Sequence, residues 1–140
     1  MNHEEPTKIT ASGHLMETGV DECGAITLLY PEGRIAQINF SSNCVKCAAT
    51  HIVGDKGTIE IPENSWSPTT LIVNGEKHEV PLPEMKSNFF NSSGLRYEAE
   101  EVRKAISHGL LEHPYALHDH SRLVMKIIWE SLKQIGYQEI

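Results

Sequence analysis

CGAITLLYPEGRIAQINFSS, residues 23 to 42, is the stretch on which the fold turns. From Cys23 to Tyr30 apolar and small residues alternate, which places Ile26, Leu28 and Tyr30 on one side of an extended chain. Pro31-Glu32-Gly33 carries the proline and glycine of a tight reversal. From Arg34 to Ser42 the alternation resumes, with Ala36, Ile38 and Phe40 on one side and Gln37, Asn39 and Ser41 on the other. Two period-two runs joined by a short turn predict an antiparallel hairpin with one apolar and one mixed face.

The same grammar extends in both directions. Ile9 to Met16 reads as a strand ending at Thr18-Gly19. Cys47 to Val53, Thr58 to Ile61, Thr70 to Val73 and His78 to Leu82 read as four more, with turns at Gly54-Asp55-Lys56-Gly57 and at Asn74-Gly75, the strongest short hairpin signal. Beyond residue 90 the period changes. Leu95, Ala99, Val102 and Ile106 recur at helical spacing, with Ser92 or Ser93 as N-cap and Gly109 as the stop. Leu123, Ile127, Ile128, Leu132 and Ile135 form a second helical face, opened by His118 or Asp119 and closed by Gly136. The expected fold is α+β: an open-faced, mostly antiparallel sheet of about six to eight strands with two C-terminal helices on one face. No repeat or linker divides residues 1–140, so one domain is expected. Two helices cover one side of such a sheet. The other side, with Thr27, Gln37, Asn39 and Ser41 beside Leu29 and Ile35, is left to water or to a second copy.

Composition narrows the function. Apolar residues make up 39% and charged residues 22%, ordinary for a soluble domain. The formal charge is −7 and no Lys/Arg cluster appears, which argues against nucleic acid as a partner. No run approaches the roughly 18 apolar residues of a membrane span, and MNHEEPTK lacks the basic-then-apolar pattern of a secretory signal. With three cysteines, an odd number, a reducing, cytoplasmic setting is expected.

Cys44-Val45-Lys46-Cys47 followed by His51 resembles a metal signature. Residues three apart on a strand point to opposite faces, and no second Cys/His pair stands at finger spacing, so no metal is expected. His113, His118 and His120 have no nucleophile nearby and read as solvated surface. Neither G-x-G-x-x-G nor a phosphate loop nor a G-x-S-x-G elbow occurs. Trp66, Phe89 and Phe90 stand out because they are large aromatics in segments rich in Pro, Asn and Ser. Such aromatics either plug a core or line a concave site.

GDKGTIEIPENSWSPTTLIVNGE (54–76), NFFNSSGLRYEAEEVRKAISHGLLEHP (88–114) and the closing KQIGY, with ETGVDE (17–22) and LLYPEGRIAQ (28–37), resemble the dimeric dihydrodiol dehydrogenases. These belong to the superfamily of glucose–fructose oxidoreductase and inositol dehydrogenase. The resemblance implies that the chain is the C-terminal substrate-binding and dimerisation domain, with the N-terminal Rossmann domain absent. It implies NADP in full-length members and no cofactor bound by this chain alone. The family's catalytic lysine and tyrosine lie in Glu-Lys-Pro and Asp-x-Gly-x-Tyr motifs, and neither motif occurs here. No catalytic role therefore transfers to Tyr30, Tyr97, Tyr115 or Tyr137. The substrate side does transfer: Trp66 matches the tryptophan before Pro-Thr, and Phe89 the aromatic of the Asn-Phe motif. Phe90 stands where the relatives carry an acid, and His14 or Leu15 where a dimer-forming arginine is expected. The resemblance further implies a homodimer or heterodimer through the open sheet face and a small diol or sugar as substrate.

Overall fold

The computed structural model describes residues 4–44, 48–62, 65–80 and 92–138. The chain divides into two compact units, one of Met1–Val45 with Pro114–Ile140 and one of Lys46–His113. The fold is α+β, every strand pairing is antiparallel, and the sheets are open.

In the first unit β1 (Lys8–Leu15), β2 (Asp21–Leu29) and β3 (Ile35–Ser41) form a three-stranded meander. The Pro31–Gly33 turn, with Glu32 and Gly33 at positive φ of 62° and 74°, is closed by a bond from the Tyr30 N–H to the Arg34 carbonyl at 2.8 Å. The register sets Ala11 opposite Ile26 and Ile26 opposite Ile38, so the apolar sides of the three strands share one face as the alternation requires. A bulge interrupts the ladder where His14 pairs with Cys23 but Leu15 with Asp21.

Helix α2 (His118–Ile135) lies on that apolar face, chiefly on β1 and less on β2. Gly13 and Gly24 face each other across β1 and β2 beneath the end of the helix. A Cβ on Gly13 would stand 2.4 Å from the Cys23 carbonyl oxygen and 3.1 Å from Ile135 Cδ1, and one on Gly24 2.7 Å from the Phe40 ring. The missing side chains are what let helix and sheet approach there. Leu28, 5% exposed, is the most buried large apolar side chain of the described residues.

Two expectations for this helix change. Its N-cap position is Leu117, with no side-chain cap bond; Asp119 lies inside the first turn instead, paired with Arg122. An acid in the first turn still meets the positive end of the helix dipole, so it supports the helix start without capping it. Ile128, grouped by spacing with the buried face, is 40% exposed and forms a shoulder beside it.

The second unit holds β4 (Thr50–Gly54), β5 (Gly57–Ile61), β6 (Thr70–Val73) and β7 (Glu76–Glu79), each paired with the next. The seven strands thus pair in two groups among the described residues. β3 ends because the chain turns back on itself: Asn43 Nδ2 donates to Glu22 Oε1 at 2.7 Å, and Ser41 Oγ donates to Asn43 Oδ1 at 2.8 Å. The strand expected over Cys47 to Val53 begins at Thr50 and pairs with β5; Cys47 lies outside the described residues. The last strand starts earlier than expected, because the two-residue Asn74-Gly75 turn sets Glu76 directly opposite Val73. Helix α1 (Arg96–Ser107) is preceded by a 3-10 turn over Ser92–Leu95, which puts Leu95 rather than a serine at its N-cap position. Its end at Gly109 is as expected, with Gly109 N–H bonded to Ile106 O at 2.9 Å and Leu110 N–H to Ala105 O at 3.0 Å.

Candidate functional site

The candidate site is the turn that joins β5 to β6. β5 stops at Ile61 before Pro62, and β6 starts at Thr70. Between them the Ser65 N–H donates to the Ala48 carbonyl at 3.1 Å, which ties the turn to the chain just ahead of β4. At its other end the Val80 N–H donates to the Thr69 carbonyl at 2.9 Å, continuing the β6–β7 ladder by one bond.

Within this turn the two neighbours behave oppositely. Ser67 is buried at 6% exposure, whereas Trp66 is 60% exposed. The buried serine is held by contact with Gly94: a Cβ there would fall 2.0 Å from Ser67 Oγ. The 3-10 turn ahead of α1 is therefore packed against the Trp66 turn, and a side chain at 94 would require the Ser67 hydroxyl to move. The turn is anchored through Ser65 and Ser67, so the indole is not its anchor. An exposed indole on a fixed backbone offers a flat apolar face and one N–H donor, a combination suited to stacking on a ring with hydroxyl groups. Phe89 and Phe90 lie outside the described residues.

Helix α1, which follows the Gly94 turn, carries charged pairs. On α1, Arg103 makes two bonds of 2.7 Å to the Glu100 carboxylate, and Lys104 Nζ bonds Glu101 Oε1 at 2.7 Å. His113 Nε2 stands 3.5 Å from Glu101 Oε2. The Arg103 hydrogen bond holds the Glu100 carboxyl below its usual range, and the Lys104 hydrogen bond does the same for Glu101. At the helix start the Arg96 guanidinium lies over the Tyr97 ring at 4.9 Å.

Elsewhere the sequence candidates sit apart. Cys44 is exposed and its thiol donates to Ser41 Oγ at 3.1 Å. His14 Nε2 lies 3.7 Å from Glu22 Oε2 across the bulge. Tyr30 lies under Arg34, and Tyr137 packs edge-on to Trp129 with ring centroids 5.7 Å apart. Among the described residues no three of His, Cys, Asp and Glu gather as a metal site, and no helix is long and apolar enough to cross a membrane. The Ser67–Gly94 lock was not anticipated from sequence. Its one trace there is a glycine directly ahead of a helix in a serine-rich segment.

Comparison with a solved structure places the fold. The fold matches a chain of the aldose–aldose oxidoreductase from Caulobacter crescentus, in a complex with glycerol, with a TM-score of 0.62 over 94% of this chain and 40% of that one. At 21% identity this likeness is one of fold. No protein-family model matches the chain. Curated relatives are more specific. The chain is 40% identical over 137 residues to the trans-1,2-dihydrobenzene-1,2-diol dehydrogenase of Danio rerio, covering 96% of itself and 41% of that protein. It is 42% identical to the Xenopus laevis enzyme of that name and 33% identical to the human one, with 42% and 40% of those proteins covered. By sequence the chain matches a C-terminal part of the trans-1,2-dihydrobenzene-1,2-diol dehydrogenases. It spans about two fifths of their length.

Proposed function

We propose that this chain is the substrate-binding and dimerisation domain of an NADP-dependent oxidoreductase acting on trans-dihydrodiols or on pentoses such as D-xylose. The observation that carries the reading is the exposed Trp66 ring, held on a turn that Ser67 and Gly94 fix in place. A rigid aromatic wall orients a ring-shaped substrate, and orientation of this kind contributes up to about 7–11 kcal/mol to lowering a barrier.

The residues of this chain do not fit a dinucleotide. Each described strand pairs antiparallel, and the sequence contains no glycine-rich strand-to-helix turn to cradle a pyrophosphate. The chain's share of the reaction is to bind and orient the substrate, and the purified chain is expected to reduce no NADP by itself. The test is titration with trans-1,2-dihydrobenzene-1,2-diol and with D-xylose, following indole fluorescence in a Trp129→Phe background, so that Trp66 is the reporter. Saturable quenching that is lost in Trp66→Ala supports the reading. No response to either compound, or NADP reduction by the chain alone, overturns it.

A second reading rests on the face of the three-stranded sheet turned away from α2. Ile35, 64% exposed, and the partly exposed Leu29 stand there among polar residues. A non-catalytic protein could use this face to pair with a full-length relative. Co-expression with such a relative, with and without Ile35→Glu, tests it: a heterodimer lost in the variant favours this reading, and separate elution from the start excludes it.

A further inference from the structure

The turn between β6 and β7 holds the one Asn-Gly pair of the sequence, Asn74-Gly75. Such a pair is open to a covalent change that needs only water. The Gly75 backbone nitrogen attacks the Asn74 side-chain carbonyl carbon, and ammonia leaves with the proton of that nitrogen. Water then opens the five-membered imide to aspartate or isoaspartate. One water is taken up and one ammonia is lost. A glycine nitrogen attacks readily because no side chain stands in its way.

In the fold the Asn74 carboxamide is engaged elsewhere. Its Oδ1 accepts the Thr58 N–H at 2.8 Å, while the Asn74 N–H donates to the Thr58 carbonyl at 2.9 Å. The two bonds continue the β5–β6 ladder one step past the Ile59–Val73 pair, with a side-chain oxygen in place of a strand carbonyl. Gly57 makes the room. A Cβ there would fall 1.9 Å from Asn74 Oδ1 and 2.6 Å from Cγ. Cγ, the atom under attack, is thus packed against the β5 backbone.

We propose that Asn74 is a deamidation site gated by this lock. The carboxamide reacts only after releasing the Thr58 N–H, so conversion reports how often the β4–β5 and β6–β7 hairpins part. The two products act differently. Aspartate at 74 keeps an acceptor for Thr58. Isoaspartate adds a methylene to the main chain inside a two-residue turn, and the Val73–Glu76 register cannot close over it. The same ladder continues to the Val80–Thr69 bond at the end of the Trp66 turn, so isoaspartate loosens the frame of the candidate site.

The test incubates the whole chain at pH about 8 and about 37 °C, folded and unfolded in guanidinium chloride. Mass spectrometry follows the peptide that holds residue 74, and an isoaspartyl methyltransferase with labelled S-adenosylmethionine reads isoaspartate. Conversion is expected to be at least about tenfold slower in the folded chain. Amide exchange at Thr58 is measured beside it. Its slowing should match that of deamidation within about threefold, since one opening admits both. Gly57→Ala, whose methyl displaces the carboxamide, should speed both in the folded chain. If that variant does not fold, the comparison of the two rates in the unaltered chain decides. Asn74→Gln should abolish the conversion. Equal deamidation in folded and unfolded chains, or none in either, overturns the proposal. Slow deamidation beside a freely exchanging Thr58 amide also overturns it, because the protection would then lie in the turn and not in the lock.

Discussion

The Gln134 side chain occupies the outer edge of β1 as one peptide group of a neighbouring strand would. Its Oε1 accepts the Ala11 N–H at 2.8 Å and its Nε2 donates to the Ile9 carbonyl at 3.1 Å. A second donation, to Glu130 Oε1 at 2.9 Å, holds the amide in that orientation. Each bond adds about 0.5–1.5 kcal/mol, so Gln134→Leu should destabilise the first unit by roughly 1–3 kcal/mol in urea unfolding. Gln134→Glu keeps an acceptor for Ala11 and loses the donor to Ile9, and its cost should fall between the two. Equal stability of all three proteins would refute the assignment.

The contact between Ser67 and Gly94 gives a second expectation. In Gly94→Ala the new methyl meets Ser67 Oγ at 2.0 Å, while Ser67 Cβ lies 3.4 Å away. The hydroxyl must rotate away from its present contacts. A loss of about 1–3 kcal/mol is expected, with a change in Trp66 emission. In Ser67→Gly with Gly94→Ala the overlap is removed, so the two losses should be less than additive.

Acid should loosen α1 before it loosens α2. Glu100 and Glu101 have carboxyl pKa values lowered by Arg103 and Lys104. Their stabilising effect is therefore complete above the unfolded value of about 4.3 and fades as pH falls through the lower folded value. Far-UV circular dichroism between pH 5 and 2 should show helix loss that is reduced in Glu100→Gln with Glu101→Gln, because those variants have no carboxylate contribution to lose. Both pairs are in water, so about 0.5 M salt should diminish the difference.

Solubility provides a fourth check. Protonation of all eight histidines would move the formal charge from −7 to +1. A solubility minimum near pH ~6 is expected, and turbidity across pH 5 to 8 measures it. Uniform clarity at high concentration would count against it.

Much of this structure is legible in the residues. The alternation over Cys23–Ser42 gives the β2–β3 hairpin and the face that meets α2, because a period of two admits one register when one side is apolar. Asn74-Gly75 gives the β6–β7 turn for a reason as local: Asn74 and Gly75 both take positive φ, 50° and 84°. What spacing does not reveal is what depends on distant partners. One such contact is Asn43 reaching Glu22 across 21 positions at the end of β3. The exposure of Ile128 follows from where α2 sits on the sheet, which helical periodicity alone cannot supply. At the candidate site the sequence singles out Trp66 but not Ser67 or Gly94, since a small residue has no periodic signature.

Because the Gln134 amide occupies the Ala11 N–H and the Ile9 carbonyl, a strand arriving at the β1 rim must first displace it, whereas no described side chain does the same at β3. Two molecules joined along β3 would each turn the obstructed rim outward. The side chain that steadies the domain thus also works against strand-by-strand growth through this sheet.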